Sequence, residues 1–292
     1  MNEQVVGQSE ERGLLKRTIL IFMRHKLALF GMGILILVSL SSLLAHQIAP
    51  YDPNRTAIMD RLQPPSSDHW MGTDELGRDV LTRILFGGRI SLAVGLATIT
   101  ISIFFGTTLG AVAGYLGGAL DNLLMRFTDV MISFPQIFVL IMLVSFLGQD
   151  LSTIVLVLAV VSWMPMARLV RAEFLNLKDK EFIVSARAIG LPGWKIIVSH
   201  LLPNSGGPII VAATLGVAAA IRSESGLSYL GLGLQPPTAS WGTMLRNAQD
   251  QFLTAPWTAI FPGLMIFITV ISINFMGDGL RDALDPRSSR IR

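Results

Sequence analysis

Residues 90–120 read ISLAVGLATITISIFFGTTLGAVAGYLGGAL, 31 consecutive positions without a charged side chain. A helix rises about 1.5 Å per residue and the hydrocarbon core of a bilayer is about 30 Å thick, so about 20 such residues cross it. Inside lipid each backbone amide and carbonyl has to be satisfied within the segment, which makes a helix the form this run takes. Outward from it, further uncharged stretches lie at 27–45, 130–148, 151–167, 201–221 and 252–277. The expected fold is an all-α membrane protein with six transmembrane helices.

Composition agrees. The 292-residue chain is 51% hydrophobic and only 15% charged, with a mean hydropathy of +0.58, which is too apolar for a soluble domain. A net charge of +3 would point to nucleic acid in a soluble protein. Here it reads instead as lysine and arginine gathered on one face of the bilayer, with no nucleic-acid partner. With no cysteine, disulfides, thiolate catalysis and cysteine-based metal sites are excluded. Arg24 and Lys26 before the first run imitate a signal peptide, but 19 residues is long for its apolar region and five more runs follow, so it reads as a retained helix.

Placing the N-terminus in the cytoplasm puts 16 of the 23 basic residues inside. Five of the other seven (Arg55, Arg61, Arg78, Arg83 and Arg89) share one long loop, where charge bias has little influence on orientation. The expected organisation is a cytoplasmic tail 1–26, a first span 27–45, an extracytoplasmic loop 46–89, a five-helix core 90–280 that includes a cytoplasmic loop 172–204, and a cytoplasmic tail 281–292. Both termini are then cytoplasmic.

Within the spans, Gly106, Gly110 and Gly114 recur every fourth residue and bare one helix face for close approach by a neighbour. Pro135 removes an amide from the ladder and breaks the third span between Phe134 and Ile137, either to face a pathway or as a packing kink. Asp129 and Arg126 are spaced to pair along one helix face, and a structural pair is the favoured reading. Arg222 and Glu224, two apart, point to different faces; Glu224 reads as a satisfied interfacial carboxylate, with a place on the pathway as the alternative. The four histidines are dispersed and give no metal-ligand spacing.

The segment from Arg168 to Asn204 is the most informative. Asp179 is placed to cap a helix starting near Lys180 or Glu181, Gly190 to terminate it in the left-handed conformation, and Pro192 to open a second helix. Two short helices around a tight Gly190-Leu191-Pro192 turn are expected, with an apolar surface fit for a partner or for the membrane interface.

Ser185-Ala186, three residues, Gly190, nine residues and His200-Leu201-Leu202-Pro203 resemble the cytoplasmic signature of permease subunits of binding-protein-dependent ABC importers. That pattern is Glu-Ala-Ala, three residues, Gly, nine residues, Ile, any residue, Leu-Pro. Val184, Ser185 and His200 depart from it, while Ala186, Gly190, Leu202 and Pro203 match. Residues 72–81, Gly-Thr-Asp-Glu-Leu-Gly-Arg-Asp-Val-Leu, are similar to the C-type permease subunit of dipeptide, oligopeptide and nickel importers. So are Leu227-Ser-Tyr-Leu-Gly-Leu-Gly233 with Pro236-Pro237 and Ser240-Trp241-Gly242, and residues 277–286.

This resemblance implies a non-catalytic subunit that works with a second permease subunit, two ATPase subunits holding ATP and magnesium, and an extracytoplasmic substrate-binding protein. No phosphate-cradling Gly-x-x-x-x-Gly-Lys-Ser/Thr loop occurs in the chain, so no cofactor is expected on it. The resemblance puts ATPase coupling on Ser185, Ala186, Gly190, Leu191, Leu202 and Pro203. Phe134, Pro135 and Glu224 are candidates for the translocation path, and Asp74, Glu75, Arg78 and Asp79 for contact with the binding protein or the second permease, an interfacial helix being the other reading of that segment. Dipeptides or short oligopeptides are the expected cargo; nickel, glutathione or another small solute is the alternative. An ion-coupled secondary transporter is disfavoured because no span interior carries an obvious ion-binding carboxylate.

Overall fold

The computed structural model describes residues 18–284, and these are largely helical, with no strand among them and a long irregular loop over 49–79. The outer parts of both expected tails, 1–17 and 285–292, lie outside the described residues. After a helical stretch at 18–24, α1 spans Lys26–Leu43. His25 caps it, Nδ1 accepting from the Ala28 amide at 3.1 Å.

α2 spans Val80–Leu116, 37 residues and about 55 Å. It begins ten residues before the expected span because Asp79 caps it, accepting from the Thr82 amide at 2.7 Å, and because the arginines that bounded the uncharged run are accommodated within its first turns. It stops at Gly117, whose φ of +66° leaves the helical region. Leu120 therefore belongs to the next helix, not to the second span.

The expected third span is two helices, α3 Gly118–Ser133 and α4 Gln136–Leu147, meeting at 88° across Phe134 and Pro135. The break predicted at Pro135 is present, but it turns the chain through a right angle. Among the described residues five helices are long and apolar enough to cross a membrane, and six crossings result if the bent pair counts as one.

α5 covers Leu151–Leu177, followed by the short α6 Glu181–Ala188 and α7 Gly193–Ile196. α7 runs on through a π turn at Ile197–Leu201 to Leu202–Asn204. α8 is Gly206–Tyr229, α9 Trp241–Asn247 and α10 Trp257–Leu284. The last two expected spans, 201–221 and 252–277, are thus shifted towards the C-terminus, with Arg222, Glu224, Asp278 and Arg281 drawn into helix.

The centre is the α2–α5 pair, and its glycine stripe explains the approach. A Cβ on Gly110 would lie 2.4 Å from the Ala167 carbonyl oxygen, and one on Gly106 2.7 Å from that of Trp163. Neither position admits a side chain unless the helices separate. Excluding water from an interhelical contact gains little in lipid, so this close van der Waals fit is what joins them. Ser102 Oγ also donates to the Ala159 carbonyl across the pair at 3.3 Å. Val94, Leu140, Ile154, Leu158 and Leu227 fill the space among α2, α4, α5 and α8.

Candidate functional site

The α6–α7 hairpin is built from its turn. Gly190 has φ +78°; its amide donates to the Arg187 carbonyl at 3.0 Å, and the Leu191 amide reaches back to the Ala186 carbonyl at 3.1 Å. This pair of bonds is the Schellman closure that Gly190 was expected to make. Two local details differ. Lys180, not Asp179, is the N-cap of α6 and makes no side-chain cap bond; Pro192 is the N-cap of α7 and not part of its first turn.

One face of the hairpin is packed inward. Ile183, Ala186, Ile196 and Leu201 are buried with Met166, Val170 and Phe174 of α5, and Leu191 and Leu202 lie partly buried against them. Ala186 therefore seats the hairpin and is not presented outward. Ser185, Gly190 and Pro203 are exposed, beside exposed apolar Val184, Ile189, Trp194 and Val198. Tyr115, in the last turn of α2, lies between the two arms: a Cβ on Gly193 would sit 2.9 Å from its ring, and the Arg187 guanidinium lies 5.5 Å from the ring centroid. The hairpin is thereby fixed to α2 and α5 together, so displacement of one moves the others as a packed unit.

Two ion pairs brace the same end. Arg171 grips Asp121 through two bonds of 2.5 and 2.7 Å, and Arg168 pairs with Asp129. Arg126 is not the partner of Asp129; the acceptable arginine comes from α5, 39 residues on, which no local spacing reveals.

At the opposite end the acidic and basic residues of 74–83 form an internal network. Asp74, Arg78, Asp79 and Arg83 are all at most 6% exposed. Arg78 Nε donates to Asp74 at 2.6 Å and Nη2 to Glu75 at 2.8 Å. Arg83 Nε lies 3.6 Å from Asp74, and Asn247 of α9 donates to Glu75 at 3.2 Å. His69 Nδ1 lies 2.9 Å from Asp79. Buried charges require such pairing. Only Glu75 keeps partial exposure, facing a cavity of about 510 Å³ shared with Arg246 and Asp250. Burial first, then the neighbouring Asp74 charge, raises its carboxyl above the ordinary 4.5.

Glu224 is fully buried, a carboxyl satisfied inside the protein. Its Oε1 accepts from Ser228 at 2.8 Å and from Ser240 at 2.7 Å. Ser240 in turn caps α9 in a reciprocal capping box with Thr243. The neighbouring Trp241 is buried completely and donates from Nε1 to the Ile84 carbonyl of α2 at 3.1 Å. In the irregular 230–240 segment Gly233, Leu234, Ala239 and Ser240 are buried, whereas Gln235, Pro236, Pro237 and Thr238 between them are exposed. Phe134 and Pro135 are exposed on the other flank, at the α3–α4 bend, so the three candidate pathway residues are not brought together.

The family described as binding-protein-dependent transport system inner membrane component matches residues 106–290. The chain belongs to this family. Its first part matches the N-terminal transmembrane domain of oligopeptide transport permease C over residues 13–65. The permease is 44% identical over 90% of its length to the dipeptide transport system permease protein of Alkalihalophilus pseudofirmus, covering 87% of that protein. It is 39% identical over 94% of its length to the oligopeptide transport system permease protein of Bacillus subtilis, covering 90% of it. To the glutathione transport system permease protein of Pectobacterium atrosepticum it is 43% identical over 91%, covering 89%. An inward-facing structure of the MetNI methionine ABC transporter superposes with a TM-score of 0.59 at 19% identity, over 70% of this chain and 96% of that one. The likeness is one of fold, and the permease is a multi-pass membrane protein.

Proposed function

We propose that this permease is one of two membrane-spanning halves of an ATP-driven importer, and that it forms half of the path taken by dipeptides or short oligopeptides. The observation that carries the reading is the near-full-length similarity to dipeptide and oligopeptide permeases. The chain itself is non-catalytic in this reading. Two ATPase subunits holding ATP and magnesium supply the chemistry, a second permease completes the path, and a binding protein delivers the cargo. Lysine and arginine enrichment supports orienting the α6–α7 hairpin and both termini to the cytoplasm.

In this orientation the exposed Ser185–Gly190 side of the hairpin meets an ATPase subunit. ATP-driven closure of the ATPases then pushes the hairpin as a rigid body, through Tyr115 on α2 and Phe174 on α5, and the bundle shifts between two packed arrangements. Glutathione is the second reading of the cargo, favoured by the relative at 43% identity.

The test is purification of the permease with its associated subunits, reconstitution in nanodiscs, and assay of ATP hydrolysis with binding proteins loaded with dipeptide, oligopeptide or glutathione. Stimulation by the peptide-loaded protein is expected. Stimulation by the glutathione-loaded one alone moves the cargo, and transport on an ion gradient without ATPase partners overturns the reading.

A further inference from the structure

Arg89 lies in the third turn of α2, the last charged residue before the uncharged run that crosses the membrane. It therefore sits at the boundary between hydrocarbon and headgroups. The end of α1 is level with it: a Cβ on Gly88 would come within 2.2 Å of Ser42 Oγ, and His46, just beyond α1, packs edge-on against Phe86 at 4.8 Å. Among the described residues the Arg89 guanidinium has no carboxylate partner. An arginine at such a depth without a counter-ion calls for an anion from elsewhere.

Two cavities meet at this residue. Beneath it, a cleft of about 750 Å³ runs between α1, α2, α8 and α10 and is walled by aliphatic side chains including Leu92, Leu96, Val217 and Ile273, with Ser39 and Ser42 near its mouth. From Arg89 to Ile99 the cleft descends about 15 Å along α2, a depth suited to most of an acyl chain. Above it, a second cavity of about 280 Å³ has mixed walls: His46, Asn54, Thr238 and Arg89 itself stand among apolar residues such as Phe86 and Pro237, with Ile90 again common to both. An apolar cleft below, a cation at the join and three polar side chains within a mixed cavity above fit a glycerophospholipid.

We infer that this double cavity is a phospholipid site, with the phosphodiester on Arg89, the headgroup among His46, Asn54 and Thr238, and one acyl chain in the cleft. A guanidinium suits the phosphate because its fork donates two parallel hydrogen bonds to two oxygens. The flank of α1 beside the cleft is open, with Leu37 and Leu43 exposed, so lipid reaches the site laterally. A helix of a second subunit would instead have to bring a carboxylate into the boundary layer. The bound chain would fill the space between α1 and the α2–α8 pair and fix α1 to the rest of the bundle. The site requires that the chain cross a membrane and is independent of its cargo.

The test uses the full chain with its retained subunits in phosphatidylglycerol nanodiscs containing a trace of phosphatidylglycerol that carries a photoreactive diazirine on its acyl chain, with crosslinks mapped by mass spectrometry. Labelling of Leu96 and Val217 is expected, reduced about tenfold or more by Arg89→Gln, the loss expected when charge-assisted hydrogen bonds to phosphate are removed. Arg89→Lys should retain much of it. Ala93→Trp, which fills the cleft while leaving Arg89, should abolish it. Labelling of Phe138, exposed on α4, should be unchanged in all three and serves as the check on folding.

Equal labelling by a diazirine fatty alcohol lacking phosphate, or indifference to Arg89→Gln with Phe138 labelling intact, overturns the proposal. Competition by millimolar inorganic phosphate overturns it as well, since the arginine would then take a free anion. So does capture of a partner polypeptide by a photoreactive residue placed at Leu96. Failure of peptide-stimulated hydrolysis alone leaves the lipid site standing.

Discussion

Ser240 Oγ donates to Glu224 Oε1 at 2.7 Å, and through this bond the last turns of α8 hold the first residue of the α9 cap. The carboxylate is fully buried, and among the described residues its hydrogen-bond partners are the hydroxyls of Ser225, Ser228 and Ser240. Replacing it with alanine leaves buried serine hydroxyls without their acceptor, at about 1–3 kcal/mol, and adds a cavity. Glu224→Gln keeps a carbonyl at the same reach. Thermal unfolding in detergent should place the alanine variant well below wild type and the glutamine variant close to it. Equal losses in both would mean that the negative charge, and not acceptance of the serine bonds, is what matters there.

The glycine stripe gives a second outcome. A Cβ on Gly110 meets the Ala167 carbonyl oxygen at 2.4 Å and the Val170 Cβ at 2.9 Å, so Gly110→Val has to separate α2 from α5. Overpacking of this kind costs about 1–3 kcal/mol. The α6–α7 hairpin rests on the same α5 face. Its protease resistance should fall along with the unfolding midpoint, whereas Gly33→Val, with nothing within 4 Å of the added Cβ, should change neither.

These two sites mark how far the sequence can be read. Gly106, Gly110 and Gly114 disclose their role because helical periodicity places them on one face, and Gly190 because a left-handed terminator has few alternatives. The membrane runs were legible from charge alone, but their ends were not. A charge-free window cannot anticipate that Arg83 is paired internally at the start of α2, or that Glu224 is housed among serines inside α8. The residues of 74–83 illustrate the same limit from the other side. Arg78 reaches Asp74 and Glu75 within four residues, but only the fold adds Arg83, His69 and Asn247 and buries the group. The partnership of Asp129 with Arg168 depends on α3 and α5 meeting across the helix pair, which no local spacing encodes.

Glu75 carries a pH dependence. Burial and Asp74 raise its carboxyl above 4.5 in the folded protein, so the folded state holds the proton more tightly than the unfolded one. Stability from this group is fully present below 4.5 and is lost as pH rises through the raised value. Glu75→Gln retains an acceptor for Arg78 and Asn247 and removes the titration. At neutral pH the variant should therefore match or exceed wild type in thermal midpoint, with wild type gaining on it as pH falls towards 4.5. A gap that widens in the variant's favour on acidification would contradict the assignment.

The last outcome concerns coupling. Gly190 has φ +78°, and an added Cβ meets nothing within 4 Å, so substitution there acts through backbone strain and not through collision. A β-branched residue is the worst fit to this conformation and asparagine the mildest after glycine. Gly190→Val is accordingly expected to loosen the bonds from Gly190 to Arg187 and from Leu191 to Ala186 that set the angle between α6 and α7, whereas Gly190→Asn should preserve them. If the hairpin transmits ATPase closure, the valine variant should lose most of the stimulation of hydrolysis by loaded binding protein, and uptake with it, while assembling with its partners as the asparagine variant does. Wild-type stimulation in an assembled valine variant would show that the turn is only a helix terminator. Loss of assembly in valine but not in asparagine would instead place the turn in subunit docking, because the exposed Val184–Gly190 edge would then be the part that strain displaces.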